Sequence, residues 1–105
     1  MLIKGISNKE YAFSGPVAES NLENKSGVYA IIDHKNDGQN YLLDVGESAT
    51  VKDRIATHDR MDCWKRQATG SITYYVYYTP DKQQTGRMEV EQDIRKNYNP
   101  VCGKQ

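Results

Sequence analysis

The chain has 105 residues, with 14 basic side chains balancing 14 acidic ones and 37% of positions apolar. That is enough for one domain with a modest core, too short for a second, and too evenly charged for a global field that draws it onto nucleic acid or an anionic membrane. Its longest apolar runs are a few residues, far below the roughly 18 that a bilayer span requires.

No signal-type apolar block opens the chain, so a cytoplasmic protein is expected. Cys63 and Cys102 have no CxxC or paired-histidine spacing around them and are expected to be buried free thiols. Residues 1–26 mix apolar stubs with Gly, Pro, Asn and Ser, and should add an edge strand and a short helix from Pro16 to a core at residues 27–100. Residues 27–33 (GVYAIID) are apolar, partly β-branched and bounded by turn formers, which predicts a buried strand. Asp37-Gly38 signals a two-residue hairpin loop, and residues 41–45 (YLLDV) return as the partner. With Asn36 facing Gln39, Tyr29 falls opposite Gly46 and Ile31 opposite Asp44, so Tyr29 and Asp44 share a face.

After a turn at 46–49 a helix begins near Ser48 or Thr50, where Thr50-x-x-Asp53 resembles a capping box. Val51 and Ile55 mark its buried stripe, with Arg54 and His58 beside it. DCWKRQATG predicts a shorter helix ending at Gly70. In residues 71–79 (SITYYVYYT), Ile72, Tyr74, Val76 and Tyr78 alternate with Thr73, Tyr75, Tyr77 and Thr79, the pattern of a strand. Residues 87–98 (RMEVEQDIRKNY) form the last helix, with Val90, Ile94 and Tyr98 as its apolar arc and Glu91 alongside. The expected class is α+β in α/β layers, a small antiparallel sheet of about three central strands flanked by helices, in a single domain over 1–105.

Set in order along this hairpin, helix, strand and helix plan, GVY at 27–29, DVG at 44–46, Arg54, His58 and Glu91 resemble the GIY-YIG nuclease family. Gly27-Val28-Tyr29 matches the first signature, and Asp44-Val45-Gly46 occupies the place of the second. Arg54 lies eight residues after that glycine, as in the family's helix. Glu91 opens EQDIRKNYNP, similar to the family's glutamate-led final helix with its downstream Tyr and Pro. One triplet alone carries almost no information; order and spacing together are what is specific.

The resemblance implies an endonuclease-like fold and hydrolysis of a phosphodiester, in DNA or secondarily RNA, assisted by one Mg²⁺ or Mn²⁺ ion in a cleft over the hairpin. Arg54 suits the charge that develops on the non-bridging oxygens, because a guanidinium is planar and always ionised. Glu91 is the implied metal ligand, a hard oxygen donor that holds such an ion together with the phosphate. Tyr29 would contact or deprotonate the attacking water, and a phenol with a pKa of about 10 needs a nearby cation to act as a base. His58 would accept a hydrogen bond from the nucleophile or the tyrosine, or bind phosphate when protonated.

The chain departs from the family where Asp44 stands in place of a tyrosine. Its carboxylate shares a face with Tyr29, which makes it a candidate water-positioning group or outer metal ligand. The gap between the signatures is also longer than usual, an excess the Asp37-Gly38 hairpin absorbs. The asparagine usual near the family's C-terminus has Gly103 at its offset, with Asn99 as the nearest substitute.

Each residue also has a purely structural explanation. Tyr29 is one of 8 tyrosines and suits a sheet core. Arg54 and His58 suit a polar helix margin, with Asp53 or Asp44 as the partner of Arg54. Glu91 suits an i,i+4 ladder with Arg87 and Arg95. What favours function is that four separately explicable residues coincide with four family positions. His34, near the hairpin tip, is expected to be solvated.

Between 50 and 70, Lys52, Arg54, Arg60, Lys65 and Arg66 face Asp53, Asp59 and Asp62, a basic surplus of two. Lys52, Arg60, Lys65 and Arg66 are therefore candidate nucleic-acid contacts, with Trp64 either a ring for base stacking or a half-buried anchor. So small a surplus predicts weak unaided binding, and residues 1–26 are too few for a separate DNA-binding part. A homodimer, a partner protein or a small nucleic-acid substrate is expected to supply what is missing. Two other classes fit the pattern: a catalytically inactive nucleic-acid or protein-binding module, and a partner subunit of a nuclease assembly.

Overall fold

In the computed structural model, which describes residues 1–103, the chain runs through β1 (Leu2–Lys4), β2 (Glu10–Ala12), β3 (Ser14–Val17) and a 3-10 turn at Glu19–Asn21. There follow β4 (Gly27–His34), β5 (Asn40–Ser48), α1 (Val51–Ala56), α2 (Met61–Gln67), β6 (Ser71–Tyr78) and α3 (Gln84–Tyr98). The class is α+β with two antiparallel sheets: β1 and β2 form a small ladder, and the other four strands are ordered β3-β6-β4-β5. The N-terminal residues thus supply an edge strand, although their helix is only a single 3-10 turn. The last helix starts at Gln84, three residues ahead of the expected Arg87.

Burial explains the layers. The strand β4 is central and buried from Gly27 to Asp33 because both of its faces are covered. Val28, Ala30 and Ile32, with Val45 and Tyr75, pack against Val90 and Ile94 of α3. On the other face Tyr29 and Ile31, with Leu43 and Val76, meet Val51, Ile55 and Trp64 of α1 and α2. The alternation along β6 follows the same division: Tyr75 and Tyr77 turn to the α3 side, and Ile72, Tyr74, Val76 and Tyr78 to the other.

The hairpin reaches its expected register by a different route. Tyr29 is opposite Gly46 and Ile31 opposite Asp44, but His34 pairs with Asn40. The Lys35 N–H donates to the Gln39 carbonyl at 2.9 Å, and Gly38, at φ +85°, sits inside a three-residue loop rather than a two-residue one. That loop is the type I turn plus left-handed residue that suits glycine. A register shift between Ile31 and Ile32 leaves Leu43 as a bulge, and the bulge cancels the one-residue offset.

Local caps differ from the sequence expectation. Thr50 and Asp53 do not form a reciprocal box, since Thr50 makes no side-chain cap bond. Asn24 caps α1 from outside: its Oδ1 accepts the Asp53 N–H at 3.1 Å, and its Nδ2 donates to Asp53 Oδ2 at 3.0 Å. At the hairpin end of β4, buried Asp33 accepts the N–H groups of Thr69 and Gly70 at 3.0 and 2.9 Å. Burial pushes its carboxyl up, but those bonds and Lys35 more than offset this and hold it below the usual range.

The cysteines correct the expectation of free thiols. Cys63 on α2 and Cys102 in the C-terminal segment form a disulfide that fastens that segment beside β5. The Cys102 N–H also donates to the Leu43 carbonyl at 2.9 Å. Disulfides persist in oxidising compartments and are rare in the cytosol, so this bond and the cytoplasmic expectation pull in opposite directions. No helix among the described residues is long and apolar enough to cross a membrane.

Candidate functional site

The site is organised by the glycine of the DVG triplet. Gly46 faces Tyr29 across the ladder, and a Cβ at Gly46 would lie 2.2 Å from the tyrosine hydroxyl oxygen. Only glycine lets the ring lie over β5 toward its outer edge. There Tyr29 Oη meets His58 Nε2 at 2.7 Å, with both side chains buried. Beyond α1, the chain turns so that the Arg60 N–H donates to His58 Nδ1 at 3.0 Å. A main-chain N–H can only donate, so with this bond formed neutral His58 carries its proton on Nε2 and donates it to Tyr29 Oη; Asp59 Oδ1, 3.3 Å from the same Nδ1, is mostly exposed and bonded to Arg54. The phenolic proton of Tyr29 is then free for another acceptor.

The surroundings hold both groups in their neutral forms. Burial pushes Tyr29 up to about 12, helped by the carboxylates of Asp44 and Glu91 and opposed by Arg54 and Arg60. Burial and the charges of Arg54 and Arg60 push His58 down to about 4, against Asp44 and Asp59. At neutral pH the pair is therefore a phenol and an imidazole. This favours Tyr29 as a hydrogen-bond donor over a base, and leaves His58 uncharged rather than a phosphate binder.

Arg54 is bound to Asp59 at 2.9 Å, not to Asp53 or Asp44. The side chain of Asp59 is 71% exposed, so this pair is screened and readily exchanged. Glu91 approaches from the opposite layer. Arg87, Glu91 and Arg95 form one i,i+4 row of α3, but the expected ladder is absent because each arginine bonds to β5 instead. Arg87 Nε donates to Glu47 at 2.9 Å, and Arg95 Nη2 donates to Asp44 at 2.8 Å and to the Val45 carbonyl. Glu91 lies between them in the row and is half-buried. Its carboxylate accepts only from neighbouring Gln92, and it has no ion pair among the described residues. Burial, with Glu47 adding to it, raises its pKa in spite of Arg95.

Asp44 lies opposite Ile31 on the face of Tyr29, as expected, but its carboxylate is already occupied. It is fully buried and accepts five hydrogen bonds, from Val45 N–H, Trp64 Nε1, Arg95 Nη2 and, twice, Arg60. Two carboxylate oxygens offer about four lone-pair sites, so none is left for water or an outer-sphere metal. The carboxylate is an internal ion-pair hub. The same hub removes two residues from the expected nucleic-acid surface: Trp64 has 0% exposure and cannot stack on a base, and Arg60 is held on Asp44. Lys65 and Arg66 remain exposed on α2, and Lys52 is half-buried on α1. Gly103 packs against this hub, where a Cβ would come within 2.9 Å of Asp44. Asn99 caps α3 in the left-handed conformation and is exposed, away from the hub. His34 is exposed as expected, with Nδ1 2.7 Å from Asn40 Oδ1.

Glu47, Asp59 and the main chain of Arg60 were absent from the sequence-derived site. Strand alternation could have flagged Glu47: Gly46 faces Tyr29, so Glu47 must face α3. An open groove of about 830 Å³ lies on another flank of α3, lined by Ile6, Lys9, Tyr11, Tyr77, Lys82 and Met88 among others, and none of the Tyr29 site residues contributes to it. For a metal, no group of three or more His, Cys, Asp or Glu ligands occurs among the described residues. What the site offers a hard cation is the single cation-free carboxylate of Glu91, with Glu47 nearby but engaged by Arg87. No family model, no curated protein and no solved structure matches the chain.

Proposed function

We propose that this chain is a metal-dependent, endonuclease-like phosphodiester hydrolase of the GIY-YIG type, acting on DNA or secondarily RNA. The supporting observation is Glu91, a half-buried carboxylate without an ion-pair partner, placed in its helix row between two arginines that bond instead to β5, the strand over which Tyr29 lies. Arg95 and Arg60 act on it only at a distance, and burial outweighs them; burying a carboxylate without a bonded counter-charge is costly, and a divalent ion relieves that cost.

Glu91 would hold Mg²⁺ or Mn²⁺, which when bound supplies Lewis-acid polarisation of a phosphoryl oxygen. The chain's own groups do the rest. Arg54 leaves Asp59 for the phosphate and neutralises charge developing on its oxygens. Tyr29 and His58 are both enclosed in this structure; Tyr29 would act on the substrate or the attacking water from the floor of the site through its free O–H, with His58 directing that proton by donating to Oη. With Arg60 and Trp64 withdrawn into the hub, Lys52, Lys65 and Arg66 provide little affinity. A second copy or a protein partner is therefore part of the reading.

The test is cleavage of plasmid and oligonucleotide DNA with Mg²⁺ or Mn²⁺. Turnover by the wild type, lost in folded Arg54→Ala and Glu91→Gln, supports the proposal; absence of turnover on DNA and RNA with either ion contradicts it. One observation favours a second reading, an inactive binding module or partner subunit: Asp44, standing where the signature has tyrosine, is wholly consumed by internal bonds. Salt-dependent DNA binding without cleavage would select that reading.

A further inference from the structure

Asp44 does more than neutralise two arginines. Its Oδ2 takes the indole N–H of Trp64 at 2.9 Å and the Nε–H of Arg60 at 2.8 Å. Both donors lead to His58. The Trp64 ring lies against the imidazole, with centroids 4.5 Å apart, and the main-chain N–H of Arg60 is the group that reaches His58 Nδ1. One carboxylate therefore holds the wall of the histidine and the turn that fixes its proton. The turn itself is short, from His58 to Arg60; Asp59 between them is exposed and held by Arg54, and its carboxylate is the other group near Nδ1, at 3.3 Å.

We propose that Asp44 is a positioning residue: through Arg60 and Trp64 it locks His58 in the Nε2–H tautomer, so that His58 donates to Tyr29 and the tyrosine O–H is left free to donate to an anionic oxygen. Metal ligation and activation of water are not part of this role. Without Asp44, Arg60 loses its side-chain anchor and Trp64 its acceptor. The N–H to Nδ1 bond then loosens, and His58 is free to take the other tautomer, in which Nε2 accepts from Tyr29 and uses up its proton. Two neutral tautomers differ only in where one proton sits, so no charge or partner is needed for the change. The inference rests on the Tyr29–His58 pair being the working end of the site, but its test needs no turnover.

The test is the ¹⁵N pattern of the His58 ring at neutral pH in labelled protein. The wild type should give a single-tautomer pattern, with Nε2 as the protonated nitrogen. Asp44→Asn should replace it with averaged shifts at both nitrogens. If Asp44→Asn does not fold, Arg60→Ala serves: it keeps the main-chain N–H and leaves Asp44 bonded to Arg95, Trp64 and Val45, yet it should also lose the single-tautomer pattern. Asp33→Asn, which cuts the bonds of an equally buried carboxylate at the other end of β4, should leave the pattern intact. An unchanged pattern in Asp44→Asn or Arg60→Ala overturns the inference, and so does the same loss in Asp33→Asn. Failure of DNA cleavage leaves this result standing, which separates the two claims.

Discussion

Two carboxylates, Asp44 on β5 and Glu91 on the helix packed against that strand, meet opposite fates. Asp44 is sealed from solvent and bonded to two arginines, an indole and its own backbone, whereas Glu91 is half-buried with two arginines in its helix row and bonds to neither. The same kinds of side chain therefore build a saturated cluster in one place and an open one in another. A saturated cluster is scaffold, because every lone pair is already used. An open one retains a cost that a ligand can relieve, and it is here that chemistry is expected.

The sharpest way to break this contrast is to remove Asp44. Asp44→Ala removes the shared acceptor of two partly buried guanidiniums and of the buried Trp64 indole and should cost about 3–5 kcal/mol, read as a lower urea midpoint or as outright loss of folding. A loss comparable with that of an ordinary surface change would mean the hub is not a scaffold. Next in size is the bond that closes the C-terminal segment over it. Reducing Cys63–Cys102, which spans 39 positions, should cost about 2–4 kcal/mol in denaturant unfolding.

The open side should respond in the opposite manner. Arg54→Ala breaks only an exchangeable bond to an exposed acid, so its melting curve should barely move, while cleavage should fall about 100-fold or more. For His58, whose folded pKa of about 4 lies below the ordinary 6.5, the unfolded chain binds more protons between those values. Stability is then full above about 6.5 and drains as pH falls toward 4; urea midpoints across that window should lose most of this slope in His58→Gln. Glu91 has the reverse sign and the smallest effect. Its raised pKa stabilises the fold at low pH, and this contribution is lost as pH rises. In the absence of divalent ions, Glu91→Gln should therefore leave acid stability unchanged and slightly raise it at neutral pH.

Local pattern made much of this legible. The alternation in β6, the apolar run of β4 and the stripe of α1 are local signals, and the pairing of Tyr29 with Gly46 followed from a hairpin between two clear strands. That pairing owed something to compensation, since the loop is one residue longer than Asp37-Gly38 suggests and the Leu43 bulge restores the register. What stayed hidden depends on distant contacts. Arg95 reaches Asp44 across 51 positions, Asn24 caps a helix 29 positions away, and Cys102 meets Cys63 only because the C-terminal segment folds back along β5. Local i,i+4 spacing even pointed the wrong way for Glu91, because the strand offered its arginines better acceptors.

The central claim is that the rim at Glu91, unlike the hub at Asp44, is open to a cation. Paramagnetic broadening of amide resonances by sub-stoichiometric Mn²⁺ tests it directly. Signals around Gly46, Glu47 and Glu91 should be lost selectively, and Glu91→Gln should abolish that loss. Broadening confined to exposed acids elsewhere, or unchanged by Glu91→Gln, would contradict the claim.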